Sequence, residues 1–194
     1  MVQQTLFDLD AMRSPALQQA VDQVAAAGIE ERGAIFTRRE VVEFILDLAG
    51  YRASDDLPRY RLLEPACGRG DFLLAAISRL IDAYQSGGGQ LEAAGSVLRD
   101  AIRAVELHHE SFLAAQGRVR QLLQESGVPP ATAEDLVKTW LVRDDFLLCQ
   151  LPHDFTHIVG NPPYVRLERI PGVLLQAYRV RYQTIYDRAD LYIP

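Results

Sequence analysis

The sequence predicts an α/β domain built on a mainly parallel sheet, and three observations lead there. Helix-like and strand-like patterns alternate along the chain. Four short apolar runs each end on polar or conformationally special residues, and the carboxyl ends of strands are where open α/β sheets bind ligands. The composition is that of one globular domain, with 194 residues, 48% hydrophobic and 24% charged, enough to bury a core. Disordered, collagenous and disulfide-stapled classes are excluded. Cys67 and Cys149 are too few for a secreted disulfide framework. The chain has no apolar run long enough to span a bilayer and no basic segment at residues 1–12, so a soluble, cytoplasmic protein away from membranes is expected.

The elements follow from local signals. Ser14 and Pro15 open a first helix as N-cap and first helical residue, with Gly28 as its stop. A second helix is expected from Thr37. The Thr37-x-x-Glu40 spacing is a capping box, and Val41, Val42, Phe44, Ile45 and Leu48 form an apolar face that ends at Gly50. A short strand at 61–64 leads through Pro65-Ala66-Cys67-Gly68-Arg69-Gly70 into a helix over about 71–84. Gly87-Gly88-Gly89 is expected to be the most flexible spot. Residues 101–106 form a second strand that ends on Glu106, and 108–126 a helix stopped near Val128-Pro129-Pro130. Residues 139–143 are a third strand, ending at Asp144-Asp145-Phe146, and 155–160 a fourth, ending at Asn161-Pro162-Pro163-Tyr164.

Net charge is −6, which argues against a generally sticky nucleic-acid coat. Its distribution is uneven. Residues 1–160 carry 15 basic and 23 acidic side chains, whereas 161–194 carry Arg166, Arg169, Arg179, Arg181 and Arg188 against Glu168, Asp187 and Asp190. The C-terminal end reads either as ordinary solvated arginines or as a phosphate-facing edge.

Gly68 and Gly70 lie between a strand and a helix, where glycine lets backbone approach a ligand. The dinucleotide and Gly-Lys-Ser/Thr fingerprints are both absent, and by itself Gly-x-Gly serves a tight turn equally well. Glu106 suits the two hydroxyls of a ribose, although an acid at a strand end is otherwise simply solvated. Asn161-Pro162-Pro163-Tyr164 is more unusual. Two prolines stiffen the segment and turn it outward. The amide and a backbone carbonyl then accept from the NH2 of a planar ring, and the tyrosine stacks on its face. A structural Pro-Pro turn is the plainer alternative.

Taken in order, these segments resemble the S-adenosyl-L-methionine-dependent DNA adenine-N6 methyltransferases of the gamma arrangement, found in restriction-modification and related phage-defence systems. Gly33-Ala34-Ile35-Phe36-Thr37 is similar to that family's cofactor-carboxylate motif. Glu64-Pro65-Ala66-Cys67-Gly68-Arg69-Gly70-Asp71-Phe72-Leu73 is similar to its methionine-binding motif. Glu106 falls where the ribose acid is expected, and Asp145 and Phe146 where the cofactor adenine is held. Asn161 to Tyr164 matches the catalytic tetrapeptide, and Asp190-Leu191-Tyr192 the start of the next motif. The resemblance implies a Rossmann-like class I methyltransferase fold with helices on both faces of the sheet. It covers residues 33–194 and implies the N-terminal portion of the catalytic domain there, without the remaining strands or a target-recognition domain; the helix signals around Ser14-Pro15 make 1–32 a separate N-terminal helical segment.

The implied chemistry is methyl transfer to an adenine flipped out of double-stranded DNA. Asn161 and Pro162 would accept from the target amine, with Pro163 and Tyr164 completing the substrate pocket. Thr37, Glu64, Pro65, Ala66, Cys67, Gly68, Gly70, Phe72, Glu106, Asp145 and Phe146 would line the cofactor site. No metal is expected, and His108 and His109 read as surface residues at a helix start. A restriction or defence component is the implied partner, and 194 residues alone are expected to be inactive. Arg38 stands where the family usually has proline, which predicts a less preorganised helix start. Two alternatives compete: a glutamine-N5 methyltransferase acting on a release factor, which shares Asn-Pro-Pro-Tyr, and a non-catalytic cofactor-binding or DNA-docking fragment.

Overall fold

The computed structural model describes residues 14–26, 37–152, 154–163, 165, 169–182 and 184–185. In chain order its elements are α1 (Pro15–Ala25), α2 (Arg39–Leu48), β1 (Leu62–Glu64), α3 (Asp71–Ser86), α4 (Ala94–Val97), β2 (Ile102–Val105), α5 (His109–Glu125), α6 (Pro130–Trp140), β3 (Leu141–Val142), β4 (His157–Ile158) and α7 (Gly172–Arg181). They fall into two compact units, Ile35–Pro162 and the pairing of Met1–Ala34 with Pro163–Pro194. No helix among the described residues is long and apolar enough to cross a membrane.

The larger unit is an α/β fold in which helices flank a four-stranded, all-parallel sheet of order β3-β2-β1-β4. Leu62 of β1 lies opposite Ile102 on one side and His157 on the other. The chain moves outward from β1 through β2 to β3, then crosses back to add β4 on the far side of β1. That reversal makes the carboxyl ends of β1 and β4 a topological switch point, where crevices in such sheets form. Strand residues and helix α3 supply the core: Leu62, Ile102, Leu73, Ile77, Leu80 and Ile81 are almost wholly buried, with Trp140 closing one side. The Trp140 indole N–H donates to the Leu98 carbonyl at 3.0 Å, which satisfies a buried donor.

Several local expectations need correction. Helix α2 begins one residue later than a Thr37 cap would place it, with Arg38 as N-cap and no side-chain cap bond. Its buried face is Val42 and Leu46, while Val41, Phe44 and Leu48 are exposed. Arg79 of α3 holds this helix from its side. It ion-pairs with Glu43 at 2.6 Å and Asp47 at 2.7 Å and bonds the Tyr51 carbonyl at 2.8 Å. That clamp ties α2 to α3, with Val42 buried and Ile45 packed against the core as the apolar pattern predicts.

The triple glycine is a helix stop packed under a ring. Gly89 N–H bonds the Tyr84 carbonyl at 2.8 Å, and a Cβ at Gly89 would lie 2.3 Å from the Tyr84 ring. Helix α5 ends at Glu125, ahead of Pro129 and Pro130 as expected, but these prolines are also the N-cap and first residue of α6, which runs through Thr139 and Trp140 and shortens the third strand to Leu141–Val142. Helix α1 has the expected Ser14 cap, its hydroxyl accepting from Leu17 N–H at 3.3 Å, but ends at Ala25 ahead of Gly28. Gly28 itself lies outside the described residues.

Candidate active site

Four strand ends meet at the carboxyl edge of the sheet. Glu64 closes β1 and is 1% exposed. Among the described residues its Oε2 has no hydrogen-bond partner, and burial raises its pKa to about 8, with the Asp71 and Glu106 carboxylates adding to the rise and the Leu73 backbone opposing it. The turn that follows has Pro65 and Ala66 half-buried and Cys67 buried. Cys67 N–H donates to the Val105 carbonyl at 2.9 Å. Burial and then the neighbouring Glu64 and Glu106 push the Cys67 thiol well up, so it stays protonated. Gly70 is the N-cap of α3 with φ of 90°, a left-handed conformation that a Cβ would strain. Phe72, two residues on, belongs to the hydrophobic core and is 3% exposed.

Glu106 follows β2, also buried. Its Oε2 accepts from Gly68 N–H at 2.7 Å and its Oε1 from His108 N–H at 2.7 Å. The carboxylate therefore pins the glycine turn of β1 to the start of α5. Each oxygen keeps one further lone pair for a ligand hydroxyl. Asp145, after β3, is buried. Its Oδ1 accepts from Leu147 N–H at 2.9 Å and its carbonyl from Cys149 N–H at 2.8 Å, forming a tight turn with Phe146 half-buried at its shoulder. His108 caps α5 through its backbone, and His109 Nδ1 lies 3.3 Å from Arg143 Nη1. Among the described residues no cluster of three or more His, Cys, Asp or Glu side chains could hold a metal ion.

Asn161 continues beyond β4. Its Nδ2 donates to the Thr37 hydroxyl at 3.2 Å, joining residues 124 positions apart. Pro162 is exposed, and Pro163 is half-buried and belongs to the other unit. Tyr164, Gly33 to Phe36, and Asp190 to Tyr192 lie outside the described residues. Of the residues expected in the site, Glu64, Glu106, Asp145 and Asn161 thus stand at the ends of four adjacent parallel strands. The Thr37–Asn161 bond, the unpartnered Glu64 oxygen and the Glu106 tie to Gly68 have no separate sequence signal, because each depends on which strands become neighbours.

Comparison with known proteins adds what geometry alone does not. The chain is 56% identical over 165 residues to the Type II methyltransferase M.XhoI of Xanthomonas vasicola, covering 85% of this chain and 30% of that protein. It is 53% identical over 170 residues to the Type II methyltransferase M.PaeR7I of Pseudomonas aeruginosa, covering 86% and 29%. A third relative, the Type II methyltransferase M.BstVI of Geobacillus stearothermophilus, is 40% identical over 168 residues, covering 84% and 30%. The relatives are Type II methyltransferases. The chain spans about 30% of the length of these curated methyltransferases. No family model matches it.

Proposed function

We propose that this chain forms the cofactor-binding and methyl-transfer part of a DNA adenine-N6 methyltransferase in a restriction-modification system, using S-adenosyl-L-methionine and double-stranded DNA. The observation that carries the reading is Asn161 at the end of β4, held at the switch point beside the buried acid of β1. The relatives' names support methyl transfer. The choice of adenine and of cofactor rests on the motif resemblance and on donor chemistry.

The residues fit the cofactor. An orphaned carboxylate oxygen on Glu64, buried where β1 ends, suits a cationic amino group. Gly68, Gly70, Pro65 and Ala66 would let backbone pass close to its aliphatic part. Glu106 would take ribose hydroxyls on its remaining lone pairs, Asp145 and Phe146 would hold the adenine, and Thr37 would face the carboxylate. When bound, the cofactor supplies a methyl group activated by a sulfonium. The protein's own work is placement. Asn161 Oδ1 and the Pro162 carbonyl accept from the NH2 of a flipped adenine, which favours a more tetrahedral, more nucleophilic nitrogen as charge develops. Tyr164 stacks on the extruded ring, an effect of ~1–3 kcal/mol. Orienting two reactants in line lowers the barrier further. A cognate endonuclease or other defence component is the partner such a system requires.

The test is transfer of tritium from labelled S-adenosyl-L-methionine by the full chain as encoded in its host. Label is expected at adenine N6 of duplex DNA, with Asn161→Ala abolishing transfer but keeping cofactor affinity. Label found in cytosine, or in a release-factor glutamine and never in DNA, would overturn the reading.

A further inference from the structure

We propose that Thr37 is a positioning residue for the Asn161 amide, a role beyond any contact it makes with the cofactor, and the proposal rests on the methyl-transfer reading above. The two ends of an asparagine amide have nearly the same shape and opposite chemistry, one a double donor and the other an acceptor. Only the oxygen end is useful toward an exocyclic NH2, since the nitrogen end would set donor against donor. A device that fixes which end faces the substrate therefore bears directly on rate.

Thr37 is such a device. Asn161 Nδ2 donates to its Oγ1 at 3.2 Å, which commits the nitrogen end to the protein and leaves Oδ1 as the acceptor for the amine. The hydroxyl is available because it does not cap α2. Arg38 takes the N-cap position without a side-chain cap bond, and its carbonyl accepts from the Val41 and Val42 N–H groups at 3.0 and 3.1 Å. Thr37 lies two residues ahead of α2, which is in turn fixed to α3 by Arg79 through Glu43 and Asp47.

A threonine oxygen that accepts from Asn161 still has its own O–H to donate. With a cofactor carboxylate as that acceptor, the hydrogen bonds run in series from amide to hydroxyl to anion, and each polarises the next. Filling the cofactor site would then tighten the hold on Asn161 before the base arrives.

The experiment is steady-state methylation of duplex DNA by the full chain, with Thr37→Val and Thr37→Ser, at saturating cofactor. The valine variant keeps the shape and removes the hydroxyl; the serine variant restores it. We expect Thr37→Val to lower kcat roughly tenfold, the size of one ordinary hydrogen bond, with the KM for DNA almost unchanged, and Thr37→Ser to recover most of the rate. Nitrogen-15 spectra should show the Asn161 side-chain amide resonances moving toward those of a solvent-exposed asparagine in Thr37→Val and returning in Thr37→Ser. An unchanged kcat in a folded Thr37→Val protein, with only the KM for cofactor raised, would overturn the proposal. So would a serine variant as slow as the valine one. A wild-type chain that methylates no adenine would instead sink the functional reading, whatever the spectra show.

Discussion

The Glu106 carboxylate holds the Gly68 backbone N–H at 2.7 Å, so an acid at the end of β2 sets the shape of the turn after β1. A second 2.7 Å bond, from His108 N–H, makes Glu106 a strut between two loops as well as a candidate ribose ligand. Hydrogen bonds to a charged acceptor contribute about 1.5–3 kcal/mol each.

Glu106→Ala is therefore expected to do two things. It should weaken S-adenosyl-L-methionine binding by ~1.5–3 kcal/mol, and it should lower the melting temperature of the ligand-free protein because two backbone donors lose their acceptor. Calorimetric titration and thermal unfolding separate the effects. Unchanged affinity beside a lowered Tm would leave Glu106 as a strut alone.

Glu64 predicts a pH dependence of the opposite sign to an ordinary paired carboxylate. Its folded pKa is raised from 4.5 to about 8 by burial, so the folded chain binds a proton that the unfolded chain has released. Stability from this group is thus greatest at low pH and is lost as pH climbs from about 4.5 to about 8. Glu64→Gln should flatten that limb and raise stability at pH 8, read from denaturant midpoints across pH. In the proposed site an ammonium beside Glu64 favours the ionised carboxylate, so cofactor binding near pH 7 should release a proton. Calorimetry in buffers of different ionisation heat measures the release, and Glu64→Gln should abolish it.

How much of the molecule is legible in its sequence follows from which forces are local. Ser14 with Pro15, the Gly68–Gly70 turn and the position of Glu106 after β2 are governed by caps, φ preferences and strand period, which a sequence carries within a few residues. Helix α6 escapes such reasoning because Pro129-Pro130 stops one helix and starts another equally well. The face of α2 escapes it in part because Val41, Phe44 and Leu48 extend its apolar stripe past the residues that meet the core, and nothing local marks where the cover ends. The Thr37–Asn161 bond lies beyond reach because it depends on β4 returning beside β1.

The arginine-rich C-terminal end yields a salt-dependence prediction. Arg179 and Arg181 are exposed in the last turn of α7, while Leu174 and Tyr178 are buried on its other side. If they meet phosphates, Arg179→Ala with Arg181→Ala should weaken DNA binding uniformly across sequences. The slope of log K against log salt should fall by about one for each phosphate no longer neutralised. An unchanged slope would return both residues to ordinary solvated arginines.

The last prediction concerns β4. Among the described residues it pairs with β1 alone, through Val159 N–H to the Leu63 carbonyl at 3.0 Å and Thr156 and His157 N–H to the Arg61 carbonyl. Alternation then divides its apolar residues. Val159 turns into the core at 5% exposure, while Ile158 is 66% exposed on the opposite face. A short edge strand with an outward isoleucine is a template for further strand pairing. When the 194-residue polypeptide is prepared alone, it is expected to self-associate with rising concentration. Ile158→Lys should suppress this without lowering Tm, because the side chain packs on little and a charge disfavours edge pairing. Val159→Lys should unfold the chain instead, by placing a charge in the core. Light scattering and thermal unfolding on the two variants check the contrast, and equal self-association of the wild type and Ile158→Lys would show that another surface is responsible.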